Sequence, residues 1–191
     1  MCKILTILFM LSLPAFSGEV KKAAPVAAFK VFTMDGELFS CNVPSGWQQE
    51  RDLKKEKRDK TLQLELLGPR ADKSPVIIYA AFYLNSGNYF KNYKDYIDKN
   101  SKDSWGETED RYSAVNEIKL GGRKAFVFDR EVKTSLNPEA SSGETVQIIE
   151  KFYLIPAKEG FYALHFYAPK SVYKQYLPVF ERLAKSFKGK P

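Results

Sequence analysis

The chain has 191 residues, 44% of them hydrophobic, 14% aromatic and 28% charged, with a formal net charge of +7. This is ordinary globular composition, and it excludes collagen-like, low-complexity and disulfide-scaffold proteins. The length accommodates one domain, or two small ones.

Residues 1–17 read as a targeting segment. Lys3 and the amino terminus precede an uncharged apolar run from Ile4 to Leu13. Pro14 breaks the run, and Ala15 and Ser17 supply the small residues of a cleavage site. The run is shorter than the roughly 20 residues of a membrane-spanning helix. Cleavage between Ser17 and Gly18 is therefore expected, with an uncleaved N-terminal anchor as the alternative. The mature protein would not span a membrane. No cysteine follows the apolar run in a lipid-attachment context, since Cys2 precedes it. Removal of the leader leaves Cys41 as the only cysteine. A lone thiol in an oxidising compartment is expected to be buried. A basic exported protein meets anionic lipid headgroups and acidic envelope polymers before it meets nucleic acid.

Residues 18–28 read as a flexible lead-in. Two strands, Phe29 to Met34 and Glu37 to Val43, then flank Asp35-Gly36, a preferred two-residue hairpin turn. Phe39, Cys41 and Val43 share one face of the second strand. Pro44-Ser45-Gly46 turns the chain into Trp47, whose ring is expected to close that end of the sheet. Gln48 to Lys54 reads as a short edge strand, and Lys54 to Lys60 as a charged connection between strands. Leu62, Leu64 and Leu66 alternate with polar residues in a half-buried strand that Gly68-Pro69 ends. Val76 to Leu84 is apolar on both faces, so it belongs in a sheet covered on both sides.

From Asn88 the period changes. Tyr89, Phe90, Tyr93, Tyr96 and Ile97 form a helical stripe over Asn88 to Lys102, with Asn88 as its N-cap. Strands follow at Val115 to Leu120, Lys124 to Lys133 and Thr145 to Ile155, the last two joined by a long exposed loop, Thr134 to Glu144. A further strand runs from Phe161 to Ala168. Ser171 then caps a final helix, in which Pro178 should cause a kink or split off the first turn. Hairpin-length connections and two-sided apolar strands predict an α+β fold. Its form is an α/β/α sandwich with a largely antiparallel sheet of about six or more strands, covered by helices on both faces. Residues 29–188 form a single domain in this reading.

Three segments carry a resemblance. Phe39-Ser40-Cys41-Asn42-Val43-Pro44-Ser45-Gly46-Trp47 resembles the opening strand and turn of the PsbP-like family, named for an extrinsic photosystem II subunit. Ile118 to Ala125 is similar to its mid-sheet hairpin, and Tyr176-Leu177-Pro178-Val179-Phe180 with Ser186-Phe187 to its closing helix. The resemblance spans roughly residues 29–188. It implies an α/β/α sandwich, and an accessory or binding role. No ligand set carries over, and the chain shows no thylakoid-type targeting.

The residues that carry chemistry are few. His165 is the only histidine; it alternates with Leu164 and Phe166 and reads either as a base or ligand, or as a half-buried residue beneath a helix. A Cys41–His165 nucleophile pair is conceivable, but burial of Cys41 would make its thiol inert. Zinc needs more soft ligands than these. Gly121-Gly122 is a hairpin turn rather than a phosphate loop. Asp103, Glu107, Glu109 and Asp110 cluster without the alternation of a calcium loop, and Trp105 beside them reads as a packing or a binding aromatic. No cofactor is expected. The leading reading is an exported, non-catalytic accessory or binding protein of the cell envelope. Its partner would be another envelope protein or an anionic surface, not nucleic acid, contacted through Lys54, Lys55, Lys57, Arg58 and Trp105. The alternatives are an envelope hydrolase or other enzyme using carboxylates or the Cys41–His165 pair, and a small-ligand carrier with an aromatic cleft among the strand residues Tyr79, Tyr83, Tyr153, Tyr162 and Tyr167.

Overall fold

The computed structural model describes residues 28–103, 110–136 and 143–191. The leader with its Ser17–Gly18 junction, nearly all of the lead-in, Trp105, Glu107, Glu109 and most of the Thr134–Glu144 loop lie outside the described residues.

Strands β1 (Phe29–Thr33) and β2 (Phe39–Pro44) pair antiparallel, with Thr33 opposite Ser40. Their connection is longer than the expected Asp-Gly turn. Asp35–Glu37 forms a 3-10 turn, and the left-handed residues are Gly36 and Glu37, at φ 65° and 54°. The reason lies in Met34, which is buried and donates its N–H to the Phe39 carbonyl at 2.9 Å. The loop lengthens to place that side chain in the core.

The polar stretch after Trp47 also departs from the reading. Strand β3 is only Gln48–Glu50, and Leu53–Asp59 is a helix, α1. Asp52 caps it by accepting the N–H groups of Lys54 and Lys55, and left-handed Lys60 closes it on the Glu56 carbonyl. Lys, Glu and Arg are good helix formers even without an apolar stripe. Strand β4 (Thr61–Ala71) passes through Gly68-Pro69 instead of ending there, because a register shift between Leu67 and Arg70 absorbs the proline. Asp72 and Lys73, both left-handed, turn the chain into β5 (Ser74–Leu84).

Helix α2 (Tyr93–Asn100) starts one turn later than expected. Asn92 caps it, while Asn88 donates to the Arg58 carbonyl. Strands β6 (Arg111–Tyr112), β7 (Asn116–Leu120), β8 (Arg123–Ser135), β9 (Thr145–Pro156) and β10 (Gly160–Pro169) precede helix α3 (Tyr173–Ser186) and strand β11 (Lys188–Gly189). Ser171 does not cap α3; its hydroxyl donates to Asp72. Nor does Pro178 split the helix. It lies on the exposed side, where the Lys174 carbonyl it leaves unbonded is open to water.

Among the described residues the large sheet has eight strands, ordered β3-β4-β5-β10-β9-β8-β6, with β7 also on β8; every pair is antiparallel. A small sheet is ordered β1-β2-β11. The small sheet and α3 share one core with the large sheet, containing Phe39, Leu64, Ile78, Phe166 and Phe180. Helix α2 covers part of the opposite face with Tyr96 against Phe128, Phe152 and Phe161. Helices thus lie on both faces, but α2 is short and leaves the β4–β5 side of its face open.

Candidate functional site

Alternation along the strands decides what that open face carries. On β10, Leu164 and Phe166 enter the α3-side core, so His165 points to the other face. Register then aligns one row across the sheet: Phe128, Phe152, His165, Tyr79 and Glu65 stand directly opposite one another on β8, β9, β10, β5 and β4. The His165 ring lies between Phe152, at 4.2 Å and 9°, and Tyr79, at 5.3 Å and 20°. Its Nε2 donates to Glu150 Oε1 at 2.8 Å. Glu150 is buried in the next row, where the Arg130 guanidinium also engages both its oxygens. Burial pushes the Glu150 carboxyl up, but His165 and Arg130 outweigh burial and hold it at about 2.

Beside this row the sheet surface sinks. Ala163 stands opposite Ala81, and two methyl side chains side by side leave a hollow of about 230 Å³. Tyr79 and His165 wall one end, Tyr83 and Tyr96 the other, with Gln63 and Glu65 along β4. Desolvation, and then the neighbouring Glu50, raise the Glu65 carboxyl above its ordinary value. Burial, and then the charge of the same Glu65, raise the Tyr79 phenol. A second hollow of about 180 Å³ adjoins the first, between α1 and the Tyr89–Phe90 segment. Lys55, Gln63 and Tyr83 line both, so the two form one groove.

Of the basic residues singled out on sequence, only Lys55 lines the groove. Lys54 and Lys57 are exposed on α1, and Arg58 binds Asp59 through its Nε and Nη2. Cys41 is buried in the α3-side core, and burial pushes its thiol up to about 12. The sheet stands between Cys41 and His165, so the two do not form a nucleophile pair. Trp47 is buried against Tyr176, with ring centres 6.0 Å apart. Among the described residues, no group of three or more His, Cys, Asp or Glu is placed to hold a metal ion. Nor is any helix there long and apolar enough to cross a membrane.

The sequence reading did not single out Glu65, Arg130 or Glu150; of the strand tyrosines it offered for an aromatic cleft, Tyr79 and Tyr83 line the groove. One signal was present for the hollow itself, Ala81 and Ala163 inside strands otherwise rich in large apolar and aromatic residues; Glu150, between Ile149 and Lys151, carries no local mark.

No protein-family model matches the chain, and no curated protein matches it in sequence. Solved structures do match it in shape. Cyanobacterial PsbP from Synechocystis sp. PCC 6803 superposes with a TM-score of 0.53 at 9% identity, over 87% of this chain and 95% of that one. The Ran-binding protein Mog1p of Saccharomyces cerevisiae matches with a TM-score of 0.49 at 9% identity, over 85% of this chain and 95% of that one. A Bacteroides thetaiotaomicron protein matches with a TM-score of 0.48 at 14% identity, over 85% of this chain. This chain spans about half of that protein, 48% of its length. The chain has the PsbP-like fold.

Proposed function

We propose that the protein is an exported, non-catalytic accessory or binding protein of the cell envelope. The observation that carries this reading is the state of its one histidine. His165 is clamped between two rings, its Nε2 is committed to Glu150, and Arg130 holds Glu150 in turn. Held this way His165 is oriented as a base could be, but among the described residues the one thiol, Cys41, lies in the core on the other side of the sheet, so His165 has no cysteine to activate. A rigid surface with exposed lysines at its rim suits binding. Export rests on the charge-flanked apolar run before Ser17–Gly18. Lys54 and Lys57, exposed on α1, supply contact with an anionic surface or an acidic envelope protein, and Trp105 is proposed as a further contact.

The test compares the native protein with the Lys54→Glu/Lys57→Glu variant in co-sedimentation with envelope fractions at low and physiological salt. Retention of the native protein, reduced in the variant and weakened by salt, is the expected outcome. Equal retention of both removes α1 from the contact surface. Turnover in a hydrolase panel that disappears in His165→Ala would replace the binding reading with a catalytic one.

A further inference from the structure

The groove has a composition that a basic docking rim does not explain. Of its four carboxylates, two are paired with arginines from outside, Asp52 is taken up by the first N–H groups of α1, and Glu65 faces the hollow. Arg51 donates to both oxygens of Glu56, and Arg58 to both oxygens of Asp59. Each carboxylate has about four lone-pair sites, so acceptor capacity remains on both. Tyr89, 51% exposed, lines the same hollow as Asp59 and offers a ring at the groove mouth. Gln63 adds an amide, Lys55 a donor, and Ala81 with Ala163 an apolar floor.

An anion would face Glu56, Asp59 and Glu65. A cation would find one carboxylate with neither a guanidinium nor a helix N–H partner, Glu65, with Lys55 lining the same hollow. A hydrocarbon would strand the acceptors without partners. The ligand that satisfies all of these is neutral, carries several hydroxyl groups that both donate and accept, and presents C–H faces to rings. We propose that the groove binds a neutral saccharide, with one pyranose ring in each of its two hollows. The inference concerns a different surface from Lys54 and Lys57 and does not depend on them.

The experiment is a backbone amide NMR titration with cellobiose and with N,N′-diacetylchitobiose, with co-sedimentation on insoluble cellulose and chitin. Shift changes at Gln63, Ala81, Tyr89 and Ala163, insensitive to salt, are the expected result. Ala81→Leu fills the floor and should weaken binding about tenfold or more. Tyr89→Ala, at an exposed position, should weaken it about two- to tenfold, and it serves as the test if Ala81→Leu does not fold. Lys54→Glu/Lys57→Glu should leave it unchanged, so loss of envelope docking and loss of saccharide binding are separately read. Binding to polymer as well as to free sugar assigns a polymeric glycan as the source, and binding to free sugar alone a soluble one. The proposal is overturned if neither disaccharide shifts the groove, if both groove variants bind as the native protein does, or if binding follows the α1 charge.

Discussion

At the scale of single residues, Glu150 has the largest consequence for stability. Its folded carboxyl lies at about 2, against an ordinary value of 4.5. A depressed folded value means that ionised Glu150 stabilises the fold above the ordinary value. That contribution fades as pH falls from about 4.5 towards 2. Urea melts of the native protein should therefore weaken across this interval, and Glu150→Gln should flatten the dependence while lowering the midpoint at neutral pH. The cost there should be about 3–5 kcal/mol, because Arg130 loses its partner in a buried site. Cys41 makes the opposite prediction. Burial holds the thiol protonated, so folded protein should resist a thiol-directed label and react only with denaturant present. Fast stoichiometric labelling of folded protein would contradict its placement in the core.

Single elements show where local sequence is enough and where it is not. Trp47 occupies the space that Gly68 leaves on β4; a Cβ on Gly68 would lie 2.7 Å from the indole ring. Trp47→Ala should cost about 3–5 kcal/mol and Gly68→Ala about 1–3. Gly68→Ala should be nearly harmless once Trp47 is removed, which a double-mutant cycle of urea midpoints can check. In α3, Pro178 sits in an unbroken helix on its exposed side. Pro178→Ala should raise thermal stability, by up to about 3 kcal/mol. Strands β5, β7, β8, β9 and β10 were legible because their apolar runs and turn residues are local signals, whereas the two-residue strands β6 and β11 are too short to leave one. Helix α1 was not, since Lys54 to Lys60 has no apolar stripe, and its stability comes from the Asp52 cap and the Arg51–Glu56 pair. Asn88 and Asn92 are equally good caps on paper, and contacts elsewhere in the chain select the second. The row from Phe128 to Glu65 was not legible, because register between strands distant in sequence decides who faces whom.

At the scale of the whole molecule, a short C-terminal strand joins the two sheets. Lys188 and Gly189 pair with Ser40 and Phe39, and Arg123 reaches the carbonyls of Gly189, Lys190 and Pro156. Tyr162 bridges the same junction, donating to Leu38 and Lys190 carbonyls. Truncation after Phe187 should therefore lower the thermal midpoint and speed amide exchange in β1 and β2, while β9 and β10 exchange as before. The strand order also bears on how the chain reaches this state. Pairs β4–β5, β8–β9 and β9–β10 join neighbours in sequence, whereas the central β5–β10 seam joins strands separated by α2 and four intervening strands. Closing a long loop costs entropy before any contact repays it. Loop-closure entropy predicts that the two hairpin blocks form first and that their meeting along Ala81 and Ala163 limits the folding rate. The groove does not exist until that seam has closed, so a ligand lodged there would hold the two halves together and slow unfolding more than it speeds folding.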